Sequence, residues 1–169
     1  VERYAVDGIH LDYVRYPHMD VGYGEAVRSG FRRRTGIDPL ELAANREGLR
    51  RERGPAGLKA LQREWEAYRA AQITGLVRQV RFTMRAVRPG LFLSAAVKPD
   101  VDGALSRYGQ DWTRWIHEDL IDVAAPMMYS KSTKTVRNQV DRSARLVPPE
   151  RVWAGIAVYN QSLGSAEEK

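Results

Sequence analysis

Four apolar, β-compatible runs recur along the chain, at Val6–Leu11, Leu91–Val97, Leu120–Met128 and Val152–Val158, and helix-patterned sequence separates each from the next. Near-continuous apolar runs mark strands covered on both faces. Strands that alternate with helices pair in parallel through crossover connections. The pattern therefore predicts an α/β fold with parallel strands near 5–12, 91–98, 120–129 and 151–159. Four such strands make half of a (β/α)8, TIM-type barrel or most of a doubly wound sheet. No Gly-x-Gly-x-x-Gly or Walker pattern follows any strand, which counts against dinucleotide and nucleotide sites. A chain of 169 residues is long enough for one domain with a real core. It opens on Val1, almost inside a strand, so residues 1–169 read as part of one barrel domain truncated at both ends.

The intervening segments carry the helical period. Residues 24–34 suit a short helix that stops at Gly36, and Asp38-Pro39 suits the start of another turn. Residues 45–57 hold Gly48, Gly54, Pro55 and Gly57 among charges and read as a surface excursion. Over 58–88, Leu61, Trp65, Tyr68, Ile73, Leu76, Val77, Val80, Met84 and Val87 fall at three- and four-residue steps and form one apolar face. Arg88-Pro89-Gly90 ends that helix. Shorter helices are expected at about 109–118, with Trp112, Trp115 and Ile116 on one side, and at 133–147.

Several chemistries drop out. The absence of cysteine removes disulfides, thiol nucleophiles and cysteine metal sites. His10, His18 and His117 are not at ligand spacing, so no metal and no other cofactor is expected. No Gly-x-Ser-x-Gly elbow occurs, and no apolar run reaches the roughly 20 residues of a membrane span. The formal charge is +6, with 22 arginines against 5 lysines. Arg32-Arg33-Arg34 and the run from Arg46 to Arg53 lack the interleaved aromatics of a single-strand groove, so a nucleic-acid partner is not expected.

In a parallel barrel the reactive groups sit at the carboxyl ends of strands. Side-chain alternation puts Gly8, His10 and Asp12 on the inner face of the first strand, with Asp12 at its mouth. Asp12 is thus a candidate for nucleophile, general base or electrostatic stabiliser of an oxocarbenium-like transition state. The plainer alternative is a strand cap that pairs with Arg15, and spacing does not choose between them. Asp7 enters at the amino end and reads as structural. Arg15 and Tyr16 follow in the loop. Lys98 shares the parity of Ser94 and Ala96, and its alternative is a solvated loop lysine. Tyr129 and Tyr159 end the third and fourth strands, where a ring can stack on a sugar or simply sit at the rim. Trp112 and Trp115 read as helix-to-barrel packing.

The stretch Asp7-Gly-Ile-His-Leu-Asp-Tyr-Val-Arg-Tyr-Pro17 resembles the signature of the family-ten glycosyl-hydrolase-like proteins, a bacterial group with a (β/α)8 barrel. The likeness continues in order through Phe31–Pro39, Trp65–Thr74 with Arg69 and Gln72, Leu93–Val97, Gln110-Asp111-Trp112 with Trp115, and Ile121–Ser130. It implies a catalytic barrel that hydrolyses glycosidic bonds in a bacterial polysaccharide, with the glycan strands of peptidoglycan as one substrate, in an exported or lipid-anchored protein. Asp7–Asp12 is also similar to the Asp-Gly-x-Arg-x-Asp strand of the amylase superfamily, which would make Asp12 the nucleophile and put His10 in place of an arginine. On this resemblance Asp12 is the key carboxylate, and His10, Arg15, Tyr16, Lys98, Tyr129 and Tyr159 bind a polysaccharide or oligosaccharide. Many members carry two adjacent aspartates where this chain has Asp12-Tyr13, and the amylase-type glutamate is replaced in Val97-Lys98-Pro99-Asp100. The general acid is then Asp100 or Asp102 from a loop, or a residue on another strand; as a third option the substrate's N-acetyl group assists, which needs only one well-placed acid. A glycan-binding barrel without hydrolysis is the alternative.

Overall fold

The computed structural model describes residues 3–159 and Gly164. Among them, four parallel strands lie in sequence order, β1 (Gly8–Leu11), β2 (Phe92–Val97), β3 (Val123–Met128) and β4 (Gly155–Ile156), and curl into half of a barrel. Gly8 pairs with Phe92, Ser94 with Val123 and Met128 with Ile156. The strands are shorter than the apolar runs implied. The last is two residues long, helped by an isolated parallel bridge between Ala124 and Val152.

Side-chain alternation divides the sheet. Leu93, Ala95, Val97, Ala124 and Met128 turn outward and are buried, while Ala125 and Met127 on the other parity are only half-buried on the concave face. The outer face packs against α3 (Arg46–Val87), α4 (Val101–Tyr108) and α5 (Trp112–His117). Trp112, Trp115 and Ile116 are fully buried there, so the tryptophans do pack as the sequence implied. The Trp115 indole N–H donates to Thr74 Oγ1 at 2.9 Å, which satisfies the one polar atom that its burial takes from water.

Three differences from the sequence reading have physical causes. First, residues 45–57 are largely helical. α3 starts at Arg46 and breaks at Gly54, whose φ of 70° and ψ of 169° suit glycine almost alone. Pro55 then occupies the first turn of the second segment, where its missing N–H costs nothing. Leu49 is buried against Phe31, Ile37, Leu42, Leu58, Leu61 and Trp65. These residues form a second core, shared with α1 (Glu25–Thr35) and α2 (Pro39–Ala44). Second, the expected apolar face of α3 is covered unevenly. Leu61, Trp65, Val77 and Met84 are buried, whereas Leu76 is 51% and Val87 43% exposed, since no described element packs outside β1. Third, the segment after β2 holds α4, ended by Gly109 in the left-handed region at φ 69°. α6 (Thr133–Leu146) then leads through a 3₁₀ turn (Pro149–Arg151) to β4.

Candidate functional site

The carboxyl ends of β1, β2 and β3 open on a cleft of about 870 Å³. Its lining includes His10, Asp12, Tyr13, Arg15, Ala96, Lys98, Met127, Tyr129, Ser130 and Gln139. Five of the seven residues singled out from the sequence therefore meet here: His10, Asp12, Arg15, Lys98 and Tyr129. They converge because β1 and β2 pair in register, with His10 opposite Ser94, so that positions 10 and 12 on one strand and 96 and 98 on the next share a face.

His10 Nδ1 lies 2.8 Å from Ser94 Oγ across the strand pair. That contact fixes the ring plane and leaves Nε2 as its second polar atom. Asp12 is exposed, and its Oδ1 accepts from the backbone N–H of Tyr13 at 2.8 Å. It forms no ion pair with Arg15 among the described residues, so the cap of the sequence alternative is present and the pairing is not. Tyr13 sits at φ 56°, a left-handed conformation uncommon for a bulky side chain. The turn aims Arg15 back over the Tyr13 ring, with 4.2 Å between guanidinium carbon and centroid. Lys98 Nζ stands 5.0 Å from the Tyr108 ring centroid.

Tyr16 and Tyr159 are not in the lining. Tyr16 is clamped in the wall: the Arg69 guanidinium lies 4.4 Å from its ring, and Gly22 and Gly109 approach so closely that a Cβ would fall 2.7 and 3.1 Å from it. Burial pushes the Tyr16 hydroxyl pKa up, against the pull of Arg69. Tyr159 is 81% exposed beyond β4. Asp100 and Asp102 also stay out of the lining. They face α6, where Arg142 lies 3.8 Å from Asp100 and 2.7 Å from Asp102. Asp12 is thus the one carboxylate in the lining among the described residues. No group of three or more His, Asp or Glu side chains is gathered at metal-binding geometry among them.

Gln110 escaped the sequence reading of the site although it organises it. It is fully buried; its Oε1 accepts from Lys98 N–H at 2.9 Å, and its Nε2 donates to Ala96 O at 3.0 Å and Val14 O at 3.4 Å. One amide thus ties the loop that carries Asp12 and Arg15 to the end of β2. A polar Gln beside two buried tryptophans was the available signal, since a side chain so placed has to bond the backbone.

Fold and site together define a parallel β/α half-barrel with its polar cleft at the carboxyl ends of the strands, an arrangement that places reactive side chains on short loops. The family model for Glycosyl hydrolase-like 10 matches residues 1–167, and the chain belongs to that family. Comparison with curated proteins returns no match. Among the described residues no helix is long and apolar enough to cross a membrane.

Proposed function

We propose that the cleft is a glycoside hydrolase site acting on a bacterial polysaccharide, with Asp12 as its essential carboxylate and peptidoglycan glycan strands among the substrates. The observation that carries this reading is the placement of Asp12. It stands at the strand mouth, open to a sugar-sized cleft, with His10, Arg15, Lys98 and Tyr129 around it. The family supports a carbohydrate ligand. Asp12 would stabilise the charge that develops on the anomeric carbon or exchange a proton with the glycosidic oxygen. Tyr129 offers a half-exposed ring to an apolar sugar face. A lining with one carboxylate fits substrate-assisted hydrolysis, in which the sugar's N-acetyl oxygen attacks the anomeric carbon and the protein supplies one acid–base group.

The same single carboxylate motivates a second reading, a barrel that binds glycans without cleaving them. Assaying the protein and its Asp12→Asn variant on purified glycan strands separates the two. Release of new reducing ends by the protein, reduced at least about a hundredfold in the variant, supports the enzyme. Equal binding with no product from either supports the binding module. Equal turnover by both removes Asp12 from the chemistry.

A further inference from the structure

We infer that Arg15 and Lys98 form an anion subsite in the cleft, and that it selects glycans bearing a carboxylate on the sugar. This deepens the glycan-site reading and rests on it. The argument begins with charge. Asp12, Arg15 and Lys98 are the lining's side chains of fixed charge, and neither cation has a carboxylate within ion-pair distance among the described residues. Asp12 is turned to the Tyr13 N–H, and Asp100 and Asp102, the acids nearest Lys98 in sequence, are spent on Arg142.

Elsewhere in the chain several arginines that leave water are matched. Arg28 holds Asp38 through two hydrogen bonds, Arg81 holds Asp122, and Arg151 reaches Asp119 as well as backbone carbonyls. The buried Arg69 is not: its Nε is unbonded, and it meets the His18 carbonyl and the Tyr16 ring. Arg15 shares the lack of a carboxylate with Arg69 but, unlike Arg69, lines the cleft beside Asp12. It is half-buried, its Nε is sealed from solvent, and no acceptor bonds that atom. What Arg15 and Lys98 share is the Tyr108 ring, at 5.7 and 5.0 Å from its centroid. A ring face orients a cation and attracts it modestly, but it accepts no strong hydrogen bond and cancels no charge. The two side chains are therefore held in place with their charge unspent.

A planar carboxylate satisfies both. The guanidinium offers it two parallel N–H donors, and the ammonium supplies a point charge beside them. A sugar hydroxyl would fill the hydrogen bonds but leave the charge uncompensated. With Asp12 included, the lining's three fixed charges sum to +1, which one carboxylate neutralises and a doubly charged phosphate overshoots. The chemistry therefore favours a singly charged acidic sugar. Its carboxylate sits either at C6, as in a uronate, or on a lactyl ether of an amino sugar.

The test uses matched ligands: an oligoglucuronate, an oligosaccharide of N-acetylglucosamine alternating with its 3-O-lactyl derivative, and the carboxyl-reduced form of each. Binding is measured by calorimetry for the protein, Arg15→Gln and Lys98→Met, with product analysed in the same samples. At least one acidic ligand is expected to bind about tenfold tighter than its own reduced form, with a preference that shrinks as salt rises. The ligand that shows the larger preference identifies the source of the carboxylate. Lys98→Met is expected to weaken the acidic ligand several-fold more than its reduced form. It alters only the side chain of Lys98, whose backbone N–H keeps its bond to Gln110, so it remains informative if Arg15→Gln folds poorly. Equal affinity for acidic and reduced forms, with hydrolysis intact, overturns the subsite and leaves the glycosidase reading standing. Failure to bind any of the four sugars overturns both.

Discussion

At the scale of single residues, the site is set by what neighbouring groups do to each side chain. Tyr13 adopts φ 56°, a conformation that costs a non-glycine residue about 1 kcal/mol or more, and its ring supports Arg15 at 4.2 Å. Replacing it with glycine removes the strain and adds chain entropy in the unfolded state, two effects of opposite sign. Tyr13→Gly is therefore expected to change unfolding free energy by less than about 1 kcal/mol while weakening ligand binding through a disordered Arg15. Denaturant unfolding beside sugar titration checks this. A stability loss well beyond that range would show that the exposed Tyr13 ring contributes packing which the contacts do not reveal. Ser94 acts on His10 in the same indirect way. Because their contact is one pair, the effects of Ser94→Ala and His10→Ala on sugar affinity are expected to be non-additive, with the double variant close to His10→Ala alone. Strict additivity would detach Ser94 from the site.

At the scale of elements, one feature braces the cleft and another shapes the second core, and they were unequally legible. Gln110 joins the loop after β1 to the end of β2 through three hydrogen bonds inside a fully buried environment. Gln110→Leu leaves an N–H and two carbonyls without that partner. It is expected to cost about 2–3 kcal/mol and to lower sugar affinity with it, as denaturant unfolding and titration would show. A neutral outcome would mean that the backbone groups find other partners. The break at Gly54 is the second feature. A Cβ there would meet nothing within 4 Å, so Gly54→Ala is expected to cost about 1–3 kcal/mol from backbone conformation alone. Period and apolar runs revealed the strand order, the span of α6 and the buried tryptophans, because those depend on local pattern. They missed α4, whose Gly103 lowers helix propensity, and the helix at residues 46–53, whose Gly48 and four arginines, followed by Gly54-Pro55, read as a surface excursion until Leu49 meets the second core. Tyr16 misled for a similar reason. Its position in the loop is visible in sequence, but the close approach of Gly22 and Gly109 that clamps it is tertiary.

At the scale of the whole molecule, ion pairs set how stability responds to acid, and the sign follows from the direction in which each carboxyl is displaced. Asp38 is held down to about 2, chiefly by the Arg28 guanidinium and also by the Leu40 N–H at the start of α2. Burial alone would raise Asp122. The Arg81 guanidinium, the Leu93 N–H and the nearby Arg151 outweigh it and leave the carboxyl below its usual value. Glu118 is lowered by Arg114 and Arg78 against a smaller desolvation. A carboxyl depressed in the folded state stabilises the fold above its unfolded pKa, near 4, and the benefit is lost as pH falls through the folded value. Asp111 runs the other way, since burial raises it and its ionisation opposes folding. Three depressed groups against one raised group, in a chain of formal charge +6 that gains further positive charge as its acids protonate, predict a fold that weakens steadily below about pH 4. Asp38→Asn should lower stability at pH 6 and approach the wild type as pH falls toward 2, where about half of the folded protein's Asp38 is protonated. Asp122→Asn should cost more at pH 6, roughly 2–3 kcal/mol, because it strands the buried Arg81; this is the low side for a severed pair, as Asp122 keeps 32% of its side chain in water. Urea midpoints from pH 7 to pH 2 for the three proteins check both statements. A midpoint that climbs between pH 5 and pH 2 would show that Asp111 and repulsions among like charges outweigh the arginine-held acids.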